Sequence, residues 1–115
     1  MRDTRVRSYV KQLLRGVVDP LVLIVISELP MHGYSIAREI ERRSSGYFCL
    51  AASTVYSSLR RLEKEGLVRS HWQKVSGIPL RRPYCLTDKG WYALDLKLRE
   101  WEQFCVAAER VMTRG

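Results

Sequence analysis

The 115-residue chain is poor in cysteine and histidine, with three of the first and two of the second. Cys49, Cys85 and Cys105 are widely spaced and contain no CxxC pair, which argues against a disulfide framework and against a structural zinc site. The spacing predicts three buried or half-buried free thiols. Neither His32 nor His71 stands at metal-ligand spacing from a second His or a Cys, so no metal site is expected. Long apolar runs are missing as well. The longest, Val17 to Leu29, is interrupted by Asp19, Pro20 and Glu28 and falls short of the roughly 20 residues needed to cross a bilayer. No small-residue cleavage site closes it, so neither a membrane span nor a signal peptide is expected, and the chain reads as cytoplasmic. No Gly-rich phosphate loop follows a strand-like run, and no nucleophile, base and orienting acid share a local signature. An enzyme is therefore not expected, and neither is a cofactor.

Acidic residues are absent from one stretch in particular. Residues 66–86 carry +4 with no Asp or Glu, residues 1–15 contribute another +4, residues 16–30 carry −2, and residues 87–115 sum to zero. A polyanionic partner accounts for such focusing better than general solubility does, although basic segments also face anionic lipid.

The pattern along the chain is mainly helical. In the basic arm of residues 1–15, Val6, Val10, Leu13 and Leu14, continued by Val17, stand at helical spacing among arginines and Lys11, which fits either a basic amphipathic helix or a partly disordered arm. Asp19 suits an N-cap and Pro20 the first position of a helix running to about Leu29, apolar all round and so destined for a core. After the turn from Pro30 to Gly33, Tyr34 or Ser35 opens a second helix reaching about Ser44. Ser53 suits the cap of a third, which Gly66 stops. In that third helix Val55, Leu59 and Leu62 share one side, and Ser53, Ser57, Arg60, Arg61 and Lys64 the other. Leu67 to Lys74 and Leu80 to Leu86 read as two strands joined by a turn from Val75 to Pro79. A last helix runs from about Asp88 to Met112. In it Trp91, Leu94, Leu98, Trp101, Cys105, Ala108 and Met112 recur at alternating intervals of three and four, a seam that needs a partner helix from its own core or from a second chain.

The expected fold class is thus mainly α with a small β-hairpin. Three helices followed by a hairpin is the order of a winged helix-turn-helix domain, here residues 1–86, with a long C-terminal dimerisation helix in residues 87–115.

The segments LLRGVVDPLVLIVISELPMHGYSIAREIE at 13–41, STVYSSLRRLEKEGLV at 53–68 and RRPYCLTDKG at 81–90, followed by a long helix with a central Trp, resemble the PadR-like transcriptional regulators in their compact form. The resemblance covers nearly the whole chain. It implies a dimeric winged-helix repressor in which the third helix reads operator DNA, the wing touches the backbone and the last helix makes most of the dimer interface.

Candidate residues for double-stranded DNA follow. Ser57, Arg60, Arg61 and Lys64 form the main set, flanked by Thr54 and Tyr56; a solvated face is the plainer reading. Tyr56 is either a phosphate-binding hydroxyl or a packed aromatic. Lys74, Arg81 and Arg82 on the hairpin either meet the DNA backbone or protect a strand edge, with Lys74 opposite the two arginines. Tyr34 and Ser35 begin the second helix, whose amides suit a phosphate, though a core position suits Tyr34 better. The homodimer is expected along Trp91, Leu94, Leu98, Trp101, Cys105, Ala108 and Met112. The resemblance also makes Trp101, with Phe104 beside it, a candidate wall for a flat apolar small-molecule effector, against plain packing. From a different functional class, a winged-helix adaptor that binds another protein remains the alternative.

Overall fold

Helix α1, Val18–Glu28, lies at the centre, packed against the next two helices, the last helix and one strand. Its Val22, Leu23, Val25 and Ile26 are almost completely buried, as an all-round apolar helix requires. The computed structural model describes residues 12–113, without the side chains of residues 75 and 78–81. Of the basic arm expected at 1–15, residues 1–11 lie outside the described residues; residues 12–15 form a helical turn before α1.

Helix α1 starts two residues earlier than its cap signal implied. Val17 is the N-cap and Asp19 makes no capping bond, because its carboxylate is turned towards a later helix. Pro20 is then the third helical residue. Its missing N–H costs nothing there, since the first four amides of a helix have no intrahelical partner.

Helix α2, Gly33–Arg43, buries Ile36, Ala37 and Ile40 on α1. Ser45 and Gly46 turn left-handed after it, at φ 52° and 81°, and the Gly46 amide donates back to the Glu41 carbonyl at 2.8 Å. Helix α3, Ala52–Lys64, presents Val55, Ser58, Leu59 and Leu62 to the core. Its N-cap is Ala51 with no side-chain bond, so Ser53, expected as the cap, falls inside the helix. Gly66 stops α3 as expected, at φ 79°, and Leu67 N–H donates to the Leu62 carbonyl at 2.9 Å.

The hairpin is broken into two ladders. Strand β1, Val68–Ser70, pairs antiparallel with β4, Tyr84–Leu86, while β2, Gln73–Val75, pairs with β3, Ile78–Arg81. Pro83, which has no N–H, sits in the break opposite His71 and Trp72. The turn is shorter than expected: Ser76 and Gly77, at φ 54° and 80°, are its two central residues, the left-handed pair that matches strand twist. Tyr84 is tied to Met31 by two backbone bonds of 2.8 and 3.2 Å, which fastens the base of the hairpin to the turn between α1 and α2.

Helix α4, Asp88–Met112, opens at Thr87, whose hydroxyl accepts from the Gly90 amide at 3.0 Å and donates to the Gly66 carbonyl at 2.6 Å. A Cβ on Gly90 would lie 2.0 Å from the Leu67 carbonyl oxygen, so only glycine lets the helix cross the chain there. Leu94 is 4% exposed and belongs to the domain's own core, which corrects its expected place in a seam towards a partner. No described helix is long and apolar enough to cross a membrane. Cys85 and Cys105 are half-buried as expected, whereas Cys49 is exposed, with a thiol pushed up by the neighbouring Glu41 carboxylate.

Candidate nucleic-acid interface

The α-helical period places Ser53, Ser57, Arg60 and Lys64 of α3 on the side away from its four core residues. Arg60 and Lys64 are exposed; Ser57 is half-buried, with its hydroxyl 3.4 Å from an Arg60 guanidinium nitrogen. Each flank of this face is held by charge. On one flank Asp19 Oδ1 of α1 accepts from Ser58 Oγ at 2.5 Å and from Arg61 Nη2 at 2.9 Å. On the other, Glu63 Oε2 accepts from Ser70 Oγ at 3.1 Å and lies 3.9 Å from Arg82 Nη2.

The expected set of Arg60 and Arg61 therefore divides. Arg60 stands clear, while Arg61 is turned to the core helix. Thr54 is exposed beside Arg61 on the same flank. Tyr56 lies on the opposite flank, with its ring over Gly33: a Cβ at Gly33 would be 2.6 Å from two ring atoms. The packed reading of Tyr56 holds for the ring, yet the residue remains 38% exposed. Only glycine at position 33 permits this seat, and it fixes the start of α2 against α3.

Tyr34 is not a core aromatic. It is 56% exposed because Ile36, Ala37 and Ile40 define the inner face of α2 and position 34 falls on the outer one, where the Arg38 guanidinium lies 5.8 Å from the ring centre. Ser35 is half-buried, its hydroxyl 3.1 Å from His32 Nε2.

On the hairpin, Arg81 pairs with Gln73, and Lys74 is exposed and pairs with Pro79 instead of Leu80 because the register shifts between Gln73 and Lys74. Lys74 is thus not opposite the two arginines. Arg82 donates from Nε to Ser70 Oγ at 2.8 Å, and its guanidinium lies 5.8 Å from the Trp72 ring centre and 5.9 Å from that of Tyr84. It braces the hairpin base against α3.

Internal acids remove other cations from the surface. Glu39 binds Arg42 and Arg43, which hold its carboxyl well below the ordinary 4.5, at about 2, and Arg43 also donates to Glu28 at 2.6 Å. Both guanidiniums are raised in return, Arg42 by Glu39 and Arg43 by Glu28 and then Glu39. Arg38, Arg60, Lys64 and Lys74 form no ion pair among the described residues. These four lie on the outer faces of α2 and α3 and on the hairpin; Arg15, Arg69, Lys89, Lys97 and Arg110 likewise form no ion pair among the described residues.

The exposed face of α4 differs in kind. Trp91, Leu98, Trp101, Phe104, Val111 and Met112 are exposed, and Cys105 and Ala108 are half-buried. The Trp101 and Phe104 rings stack at 6.0 Å and 21° and line a groove of about 690 Å³ with Leu13, Val17, Phe48 and Lys97. Among the described residues no cluster of His, Cys, Asp and Glu is arranged to hold a metal ion.

Sequence reasoning missed Asp19, Gly33, Glu63 and Trp72. Asp19 reaches partners 39 and 42 positions away, which no local pattern reveals. Gly33 lay in the HGY segment, where its glycine was a signal of close approach.

Residues 22–96 match the family model of the PadR-like transcriptional regulators. A protein of Lysinibacillus sphaericus, known as uncharacterized protein X, is 31% identical over 91 residues, covering 79% of this chain and 84% of its own. The crystal structure of a PadR family transcriptional regulator from Eggerthella lenta superposes with a TM-score of 0.85 at 29% identity, over 98% of this chain and 96% of that one. Bacillus subtilis PadR in complex with operator DNA shares the fold at a TM-score of 0.64 and 22% identity, over 71% of this chain and 46% of that longer one.

Proposed function

This chain belongs to the PadR-like family of transcriptional regulators, and we propose that it is a sequence-specific repressor that reads a pseudo-palindromic operator as a homodimer. The observation that carries this reading is the outer face of α3, where Arg60 and Lys64 are exposed with no acid paired to them among the described residues. A helix held on both flanks by charge and underneath by core packing has a fixed outer face, as major-groove reading requires. The Bacillus subtilis relative bound to operator DNA supports the class of partner.

In this reading Arg60 contacts a guanine edge or a phosphate, worth about 1–3 kcal/mol where the contact is bidentate to a base. Ser57, Thr54, Tyr56 and Lys64 complete the helix contacts. The amides at the start of α2, near Tyr34 and Ser35, and the cations Lys74 and Arg81 hold the phosphate backbone. Arg82 acts by keeping the hairpin in place. Residues 1–86 form the DNA-binding part and residues 87–115 the dimerisation helix, which meets its partner along Trp91, Leu98, Trp101, Cys105, Ala108 and Met112. One α3 covers too few base pairs for selectivity, so the separation that α4 imposes on two copies, one helical turn of DNA or a multiple of it, sets the half-site spacing. The groove beside Trp101 and Phe104 receives a flat apolar or aromatic effector that releases the DNA.

The test is a gel shift with DNA from upstream of the chain's own gene, against mixed-sequence DNA over a salt series. The expected result is a salt-sensitive shift selective for the upstream fragment, with selectivity lost in the Arg60→Ala, Lys64→Ala double variant. No shift even at low salt would favour the protein-binding adaptor instead.

A further inference from the structure

We propose that Asp19 withholds Arg61 from DNA in the free protein, so that a carboxylate of the core helix α1 tunes sequence-independent binding. The proposal rests on α3 being the DNA-facing helix. Asp19 stands at the boundary of α1 and α3 with its side chain 26% exposed, and the hydroxyl of fully buried Ser58 anchors its Oδ1. The same oxygen accepts from Arg61, whose side chain is 55% exposed. Arg61 is the neighbour of Arg60 and sits about 100° round the helix from it, at the margin of the outer face. It is therefore an arginine placed beside the phosphates but already paired.

The pair is weak enough to exchange. A half-exposed ion pair is screened by water and holds only weakly, whereas a phosphate that captures the guanidinium also releases condensed counterions. Once Arg61 leaves, the Asp19 charge remains facing a polyanion, held in place by Ser58. The carboxylate thus opposes binding twice, by competing for the arginine and by repelling the DNA. Both effects act on every sequence alike, because neither involves a base edge.

Asp19→Asn separates the charge from the fold, since the amide oxygen still accepts from Ser58. The experiment measures binding of mixed-sequence duplex to the wild-type protein, Asp19→Asn, Arg61→Ala and the double variant over a salt series. Asp19→Asn should tighten binding roughly two- to fivefold; when Arg61 is Ala the share due to competition for the arginine should be lost, leaving a clearly smaller gain from relieved repulsion. Arg61→Ala alone should flatten the slope of log affinity against log salt by about 0.9, one phosphate contact. An equal gain from Asp19→Asn with and without Arg61, or no gain in a folded variant, overturns the proposal. So does an unchanged salt slope in Arg61→Ala, a measurement that stands even if Asp19→Asn does not fold. Should those results come with unimpaired upstream-DNA binding by Arg60→Ala, Lys64→Ala, the recognition-face reading fails as well. Wild-type protein that binds no DNA at all overturns both.

Discussion

Helices α3 and α4 each leave one face to solvent, and the two faces are opposite in character. On α3 the exposed side holds Ser53, Arg60 and Lys64 above a fully buried stripe of Val55, Leu59 and Leu62. On α4 the buried part ends at Leu94, and the exposed remainder carries Leu98, Trp101, Phe104, Val111 and Met112. Water satisfies the first face at no cost. The second keeps large apolar side chains in water, and burying each would contribute about 1.5–3 kcal/mol. A polar face on a braced helix is stable as it stands and open to a charged partner; an apolar face on a protruding helix lacks something to cover it. The PadR-like family provides the frame in which we assign DNA to the first and a second copy to the second.

The largest effect should come from breaking the apolar face. Leu98→Asp places a charge in the proposed seam twice over, and losing about 2 kcal/mol of burial in each copy weakens the dimer on the order of a thousandfold. Sedimentation should then report monomers with an unchanged circular-dichroism spectrum. A wild-type protein already monomeric at micromolar concentration, unaltered by Leu98→Asp, would refute the assignment.

Gly90→Ala sharpens the point at which α4 passes from core to free helix. The new methyl would overlap the Leu67 carbonyl and move the helix, at about 2 kcal/mol. Thermal unfolding should shift down by roughly 10 °C. An unshifted midpoint would mean that the first turns of α4 are not fastened to the domain as described.

The smallest effect concerns the surface ion pairs of α2. Glu39 titrates at about 2 when folded against an ordinary 4.5. A lowered folded value means that its ion pairs contribute fully above pH 4.5 and are lost as the pH falls through 2. Glu39→Gln should remove that part of the acid limb of a stability curve, and a limb unaltered between pH 4.5 and 2 would show that the pairs contribute nothing.

How much of this was legible depended on the distance over which the signals act. The boundaries of α2, the Gly66 stop and the span of α4 follow from caps and periods that neighbouring residues carry. Asp19 misled because its cap signal is local while its partners, Ser58 and Arg61, are far along the chain. Arg82 also has partners that local pattern does not name: beside Arg81 it reads as one more wing cation, and Ser70, Trp72, Tyr84 and Glu63 gather around it at the hairpin base. The seam of α4 was visible as a period of three and four. What the period could not show is that Leu94 serves the domain's own core while Leu98, one turn on, does not.

The most direct test of the account is the mass of the complex between the wild-type protein and the upstream duplex, by sedimentation at saturating protein. Two chains per duplex, bound as one unit, is the result expected if α4 pairs two copies so that each α3 reads one half-site. A saturated complex with one chain per duplex would contradict it.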